Sequence, residues 1–173
     1  MNIDINNIHS HIDKTAQDVV QLLCERKIVL TTAESCTGGL VSGAITSVSG
    51  SSQIFGLGIC AYANEIKTHI LGVSPLTLEI FGAVSAQCAR EMALGAKCRG
   101  EHCSPATVAI SVTGIAGPDG GSTEKPVGTV YFACAYKDNI NTLHLRINSN
   151  DRQHIRLESV RQALILILNT IKM

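Results

Sequence analysis

"KIVLTTAESCTGGLVSGAIT", from Lys27 to Thr46, decides how the rest of the chain is read. Its opening, "KIVLTTA", is a short apolar run that reads as a buried strand. Residues 37–47 read as a helix, opened by Thr37-Gly38-Gly39. Between the two, Ala33 to Gly39 pack a carboxylate, two hydroxyls, a thiol and two glycines into seven residues. Three readings of this turn are open: a nucleophile site, a phosphate cradle, or a tight turn that needs small residues.

The strand-to-helix alternation continues outward on both sides. Upstream, residues 9–26 carry Ile12, Ala16, Val19, Val20 and Leu23 at helical spacing. Downstream, "IFGLGICAY" is a glycine-bearing strand, and "NEIKTHILG" is a short helix capped by Asn64 and closed by Gly72. "SPLTLEIFG" follows with Ser74 as cap and Pro75 at the first helical position. Ser85 to Cys98 is a longer helix capped by Ser85, and "ATVAISVTG" is a strand dense in β-branched residues. The loop from Ile115 to Gly128, "IAGPDGGSTEKPVG", is long, irregular and rich in Gly and Pro, which in a compact domain marks function. "TVYFACAYK" and "TLHLRIN", separated by "DNIN", form an antiparallel hairpin, and residues 151–172 a last helix. The expectation is a three-layer α/β/α sandwich on a mixed, mostly parallel sheet with a late antiparallel hairpin. Residues 1–173 read as one domain, since two would be cramped at this length. Ligands bind at strand ends in such sheets, so "ESCTGG", Tyr62–Lys67 and "TGIAGPDGGS" are expected to converge.

Composition excludes several functions. Fourteen basic residues balance fourteen acidic ones, which gives no long-range attraction to nucleic acid or to an anionic membrane. There is no Trp, and three Phe and three Tyr leave little surface for stacking bases. "MNIDINNIHSHIDK" is polar and carries no secretion signal, and "ALILIL" (Ala163–Leu168) is too short to span a membrane. A cytoplasmic protein is expected. The seven scattered cysteines then read as reduced, small hydrophobes. Cys98, His102 and Cys103 lie close in sequence, but no second pair at finger-like spacing completes a zinc site, so no metal is expected. "GxxxxGK[ST]" is missing, and "GLG" (Gly56–Gly58) lacks the rest of a dinucleotide fingerprint, so no ATP or NAD cofactor is expected.

Ser35 sits where a strand meets a glycine-led helix. That position exposes a hydroxyl and aims backbone N–H groups at an anion or an oxyanion. A serine nucleophile needs a base, and none of the six histidines follows a glycine-rich turn. Lys67, which follows "YAN" at the end of a buried strand and lies one helical turn into a mostly apolar segment, can serve if desolvation lowers its pKa. The plain alternatives are that Ser35 caps a helix and Lys67 is a solvated surface lysine. Cys36 is the competing nucleophile, since a thiol at a helix start is activated, and its plain reading is core filler. Arg146, Arg152, Arg156 and Arg161 offer guanidinium forks to a phosphate, or simply a solvated helix face.

"AESCTGG", "GSSQIFGLGICAYANEIK", "GAVS" and "TGIAGPDGGSTEKPVGTVY", in that order, resemble the C-terminal domain of the CinA competence/damage-inducible family. Active members of that family are nicotinamide mononucleotide (NMN) deamidases. The resemblance runs from about Val29 to the last helix. It implies an amidohydrolase that converts NMN and water to nicotinic acid mononucleotide and ammonia without metal or cofactor, in an oligomeric, often dimeric, protein. The stand-alone form of the family is expected, since the partner domain of the larger family proteins would not fit before residue 29.

The resemblance places the nucleophile at Ser35, the lysine at Lys67, and further catalytic positions at Tyr62 and Thr113. Substrate contacts are expected from Glu34, Cys36, Thr37, Gly38, Gly39, Asn64, Gly114, Ala116 and Gly117. For the phosphate, Ser51, Ser52 and one of Arg152 or Arg156 are expected. Asn150-Asp151 stands before Arg152 where the family often has Gly-Asp. Backbone N–H groups around Cys36 to Gly38 would hold the oxyanion. Two rivals stay open: an inactive nucleotide-binding or competence-associated module, and a cysteine amidase built on Cys36.

Overall fold

The computed structural model describes residues 5–172, so the polar stretch that opens at Met1 and the expected domain span 1–173 reach past it. One mixed sheet has the order β2-β1-β3-β4-β5. Its strands are β1 (Val29–Glu34), β2 (Phe55–Cys60), β3 (Thr107–Gly114), β4 (Thr129–Tyr136) and β5 (Asn139–Arg146). β1 pairs in parallel with β2 and β3, and β4 is antiparallel to both β3 and β5. Helices α1 (Ile5–Arg26), α2 (Leu40–Thr46) and α6 (Arg152–Lys172) pack together on one face. Helices α3 (Asn64–Leu71), α4 (Pro75–Phe81) and α5 (Ala86–Gly100) cover the other. The three-layer arrangement is the expected one.

Alternation along the strands sends different side chains to the two faces. Leu30, Val108, Ile110, Val112, Val130 and Phe132 join the α1/α2/α6 core. Burying each such side chain contributes roughly 1.5–3 kcal/mol. Ala33, Ala109, Ala133 and Ala135 face α3 and α5. Small residues on that face let helices approach closely. At Gly95 of α5 a Cβ would lie 1.8 Å from the carbonyl oxygen of Leu71, so only glycine admits the end of α3. That contact sets the depth of the helix that carries Lys67.

The helix caps at Ser74 and Ser85 form as expected, each hydroxyl accepting a first-turn N–H at 3.2 Å. Several boundaries differ from the expected ones. α2 starts at Leu40 rather than Thr37, because Gly38 (φ 60°) and Gly39 (φ 94°) turn the chain through left-handed conformations first. Ala63, not Asn64, stands at the cap of α3, and Asn64 is already helical. β5 starts at Asn139, so the hairpin turns at Lys137-Asp138 and "NIN" belongs to the strand. Among the described residues no helix is long and apolar enough to cross a membrane.

Candidate active site

From β1 the chain passes through α2 to β2 on one side, and from β2 through α3–α5 to β3 on the other. The parallel strands therefore open a crevice beyond their carboxyl ends, at Glu34, Cys60 and Gly114. A cavity of about 210 Å³ lies there. The three expected loops meet in it: Ser35 and Cys36 after β1, Tyr62, Asn64 and Lys67 after β2, and Thr113, Gly114 and Ala116 at the end of β3. Ala83 and Val84 make an apolar wall, and Arg152 closes the rim. Ala83 and Val84 stand within "GAVS", but neither carries charge or polarity that would mark it in the sequence as part of a site.

Lys67 is 1% exposed. Its Nζ donates to the carbonyl of Tyr62 at 3.1 Å, and it has no carboxylate partner among the described residues. Burial, the largest influence, pushes its pKa below the ordinary lysine value. The solvated-surface reading of Lys67 is therefore excluded. Ser35 is 9% exposed; its N–H donates to Val112, and its hydroxyl makes no side-chain bond among the described residues. Buried free hydroxyl and deprotonation-prone amine thus share one small cavity. The Thr113 hydroxyl donates to the Ala83 carbonyl at 2.8 Å, so towards the cavity it can only accept. Arg152 donates from Nη1 to the Gly117 carbonyl at 2.5 Å and from Nη2 to the Tyr62 phenol oxygen at 3.2 Å.

Cys36 also lines the cavity, but burial pushes its thiol up to about 12, so it is protonated at neutral pH. The expected activation at a helix start fails first because the thiol is buried and then because the Glu34 carboxylate already occupies that helix start. Glu34, 1% exposed, accepts the N–H groups of Gly39 (3.0 Å), Val41 (3.0 Å) and Ser42 (2.8 Å) and the Ser42 hydroxyl (2.7 Å). Glu34 is not a substrate contact. It is the anion that the start of α2 holds, and it leaves those amides with nothing to offer a ligand.

Other expected contacts move as well. Gly38 N–H closes the turn on the Ser35 carbonyl at 3.1 Å, which removes it from the expected oxyanion donors. Thr37, Gly38 and Gly39 shape the turn without lining the cavity. The Thr37 hydroxyl is fully buried and has no partner among the described residues. Ser51 and Ser52 precede β2, beside Leu30 and Ile54. A parallel strand separates them from Cys60 and the crevice by about 3.3 Å per residue, so they cannot reach the ligand of the same chain. Arg156 faces the Ser35 turn instead of the cavity: Nε donates to the Cys36 carbonyl at 3.2 Å and Nη2 to the Thr37 carbonyl at 2.8 Å. Arg161 forks onto Glu158 at 2.6 and 2.9 Å, so the arginine cluster divides into separate tasks. Among the described residues no three metal-ligating side chains gather, Cys98, His102 and Cys103 included.

The sequence profile of the CinA C-terminal domain matches residues 12–171. The chain is 52% identical over 130 residues to the nicotinamide-nucleotide amidohydrolase PncC of Enterobacter agglomerans, covering 75% of this chain and 77% of that protein. It is 44% identical over 88% of its length to a CinA-like protein of Thermotoga maritima, of which it spans 36%. The competence/damage inducible protein CihA of Agrobacterium tumefaciens has a similar crystal structure, with a TM-score of 0.88, 42% identity and 94% and 96% of the two chains covered. A CinA superfamily protein of Escherichia coli superposes with a TM-score of 0.86 at 35% identity, covering 98% and 99%.

Proposed function

The chain belongs to the CinA C-terminal domain family, and on that premise we propose that it is an amidohydrolase that deamidates nicotinamide mononucleotide. The 52% identity to a nicotinamide-nucleotide amidohydrolase supports the substrate. One observation carries the chemistry: a buried lysine with a lowered pKa and no carboxylate partner among the described residues shares a small cavity with a serine hydroxyl that makes no side-chain bond among them.

In this reading neutral Lys67 takes the proton of Ser35, and the serine oxygen attacks the carboxamide carbon. The cationic pyridinium withdraws electrons and polarises that carbonyl. The C=O electron pair moves to oxygen, and the N–H of Cys36, which lines the cavity and has no backbone acceptor among the described residues, receives it. Such donors are worth about 3–4 kcal/mol each. The C–N bond then breaks, and ammonia leaves with the proton returned by Lys67. Lys67 next deprotonates water, which attacks the acyl carbon; the bond to the Ser35 oxygen breaks, that oxygen takes the proton back from Lys67, and nicotinic acid mononucleotide is released. Thr113, able only to accept, receives an N–H of the Lys67 ammonium. The cavity is smaller than the roughly 300–1,000 Å³ usual for ligand pockets, so it encloses the ring while ribose and phosphate lie at the rim. There Arg152 takes the phosphate and the Tyr62 ring faces the pyridinium.

We also infer one catalytic domain that works in the cytoplasm as a homodimer. Seven free cysteines suit a reducing compartment. Every exposed large hydrophobic side chain among the described residues falls between Tyr62 and Leu94, which supports self-association through α3 and α4. Sedimentation of a monomer at micromolar concentration would remove that inference.

The deciding experiment is ammonia release from NMN by the intact protein, Ser35→Ala and Lys67→Ala, with EDTA present. Loss in both variants and indifference to EDTA are expected. An intact protein whose melting temperature NMN raises without turnover would instead be a nucleotide-binding module.

A further inference from the structure

We propose that Arg156 is a positioning residue: it holds the Ser35 turn in the geometry that frees an oxyanion donor, and never touches substrate. The proposal rests on the amidohydrolase reading above. Arg156 donates to two successive carbonyls of the turn, Cys36 and Thr37, across 120 and 119 residues of sequence. In a trans peptide the C=O and the following N–H point in opposite directions. A guanidinium on the Cys36 carbonyl therefore turns the Thr37 N–H away from Arg156. Its hold on the Thr37 carbonyl likewise turns the Gly38 N–H, which closes onto the Ser35 carbonyl at 3.1 Å. The Ser35 carbonyl held this way turns the Cys36 N–H in the opposite direction, and that N–H, on a cavity-lining residue, has no backbone acceptor among the described residues.

The fit is close. A Cβ at Gly38, whose φ is 60°, would stand 3.3 Å from Nη2 of Arg156, so the glycine admits the guanidinium as well as the turn. On the far side of the turn, Glu34 grips the N–H groups of Gly39, Val41 and Ser42. A carboxylate on the amides and a guanidinium on the carbonyls thus hold the segment from both ends. Only the planar fork of arginine spans two adjacent carbonyls; a lysine ammonium is a point donor on a flexible stem. Arg156 also lies outside the residues that line the cavity, which separates it from Arg152 at the rim.

The test compares Arg156→Ala and Arg156→Lys with the intact protein. Turnover is measured on NMN and on its dephosphorylated riboside, alongside amide hydrogen exchange of peptides covering residues 35–39. Losing one oxyanion donor lowers kcat about 100-fold. The expectation is a loss of that order in Arg156→Ala, equal for both substrates, with KM unchanged within about twofold. Exchange at 36–39 should rise, Arg156→Lys should recover only a small part of the rate, and guanidinium added to Arg156→Ala should recover more. Unchanged kcat in a folded variant overturns the proposal. So does a rise in KM confined to NMN, which would make Arg156 a phosphate ligand. If Arg156→Ala does not fold, Arg156→Lys and Arg156→Gln carry the same comparison. If the intact protein releases no ammonia, the amidohydrolase reading falls together with the rate-setting role; unchanged exchange at 36–39 overturns the clamp whatever the activity.

Discussion

The phenol oxygen of Tyr62 accepts a hydrogen bond from Nη2 of Arg152 at 3.2 Å, joining the turn after β2 to the first residue of α6. The other arm of that guanidinium holds the Gly117 carbonyl in the glycine-proline loop. One side chain thus fastens two of the loops that form the cavity. If it also takes the NMN phosphate, Arg152→Ala should raise KM for NMN by roughly 10- to 100-fold, the value of a hydrogen bond to a charged group. Tyr62→Phe, which removes one tie and keeps the ring, should cost less than tenfold. An equal rise of KM for the dephosphorylated riboside in Arg152→Ala would remove the arginine from the phosphate.

Lys67 predicts two pH dependences from one cause. Burial lowers its folded pKa below the unfolded value, so at neutral pH more of it is the free base than in an exposed lysine. kcat/KM should rise with pH through this lowered pKa and level off below the ordinary lysine value of 10.5. Stability moves the same way. Between the folded and unfolded pKa values the unfolded chain binds more protons, so stability rises with pH across that window. Lys67→Met should therefore be more stable than the intact protein at low pH, and the advantage should shrink as pH approaches 10.5. A pH-independent difference in urea midpoint would contradict a lowered lysine pKa.

Cys36 lines the cavity, yet its thiol is held at about 12. Iodoacetamide at pH 8 should modify the exposed Cys60, Cys98 and Cys103 and spare Cys36, as peptide mass spectrometry would read. Cys36→Ala should keep most of the turnover. Inactivation of that variant, with Ser35→Ala still active, would shift the nucleophile to the thiol.

Glu34 accepts four hydrogen bonds from the start of α2. Glu34→Gln turns one acceptor oxygen into a donor facing other donors. Leaving such groups unmatched costs about 1–3 kcal/mol, and the urea midpoint should fall accordingly. If Glu34 were instead a substrate contact, KM would change and stability would not.

At Gly95 the constraint comes from backbone. A Cβ placed 1.8 Å from the Leu71 carbonyl oxygen has no flexible neighbour to displace. Gly95→Ala should destabilise by about 3 kcal/mol, at the upper end of overpacking costs, and lower turnover by shifting α3 and Lys67. A folded variant of unchanged stability would show that α3 can move without cost.

Local pattern and local chemistry made much of this protein legible in its sequence. The alternation of strands and helices required a layered sheet, because each element has one apolar face to bury. The hydroxyl at the strand-to-helix turn and the lysine after the second strand were visible as residue types in the right kinds of place. Which groups face each other was decided only by the tertiary structure. Glu34 looked like a site carboxylate until α2 folded back over it, and Arg156 like a phosphate ligand until α6 set it against the carbonyls of Cys36 and Thr37. Ser51 and Ser52 are near Ser35 in sequence, yet the parallel strand puts them at the opposite end of the sheet. Periodicity and motif are properties of neighbouring residues along the chain. A buried donor's partner and a lysine's desolvation are set by residues tens of positions away, and these exist as neighbours only after the layers close.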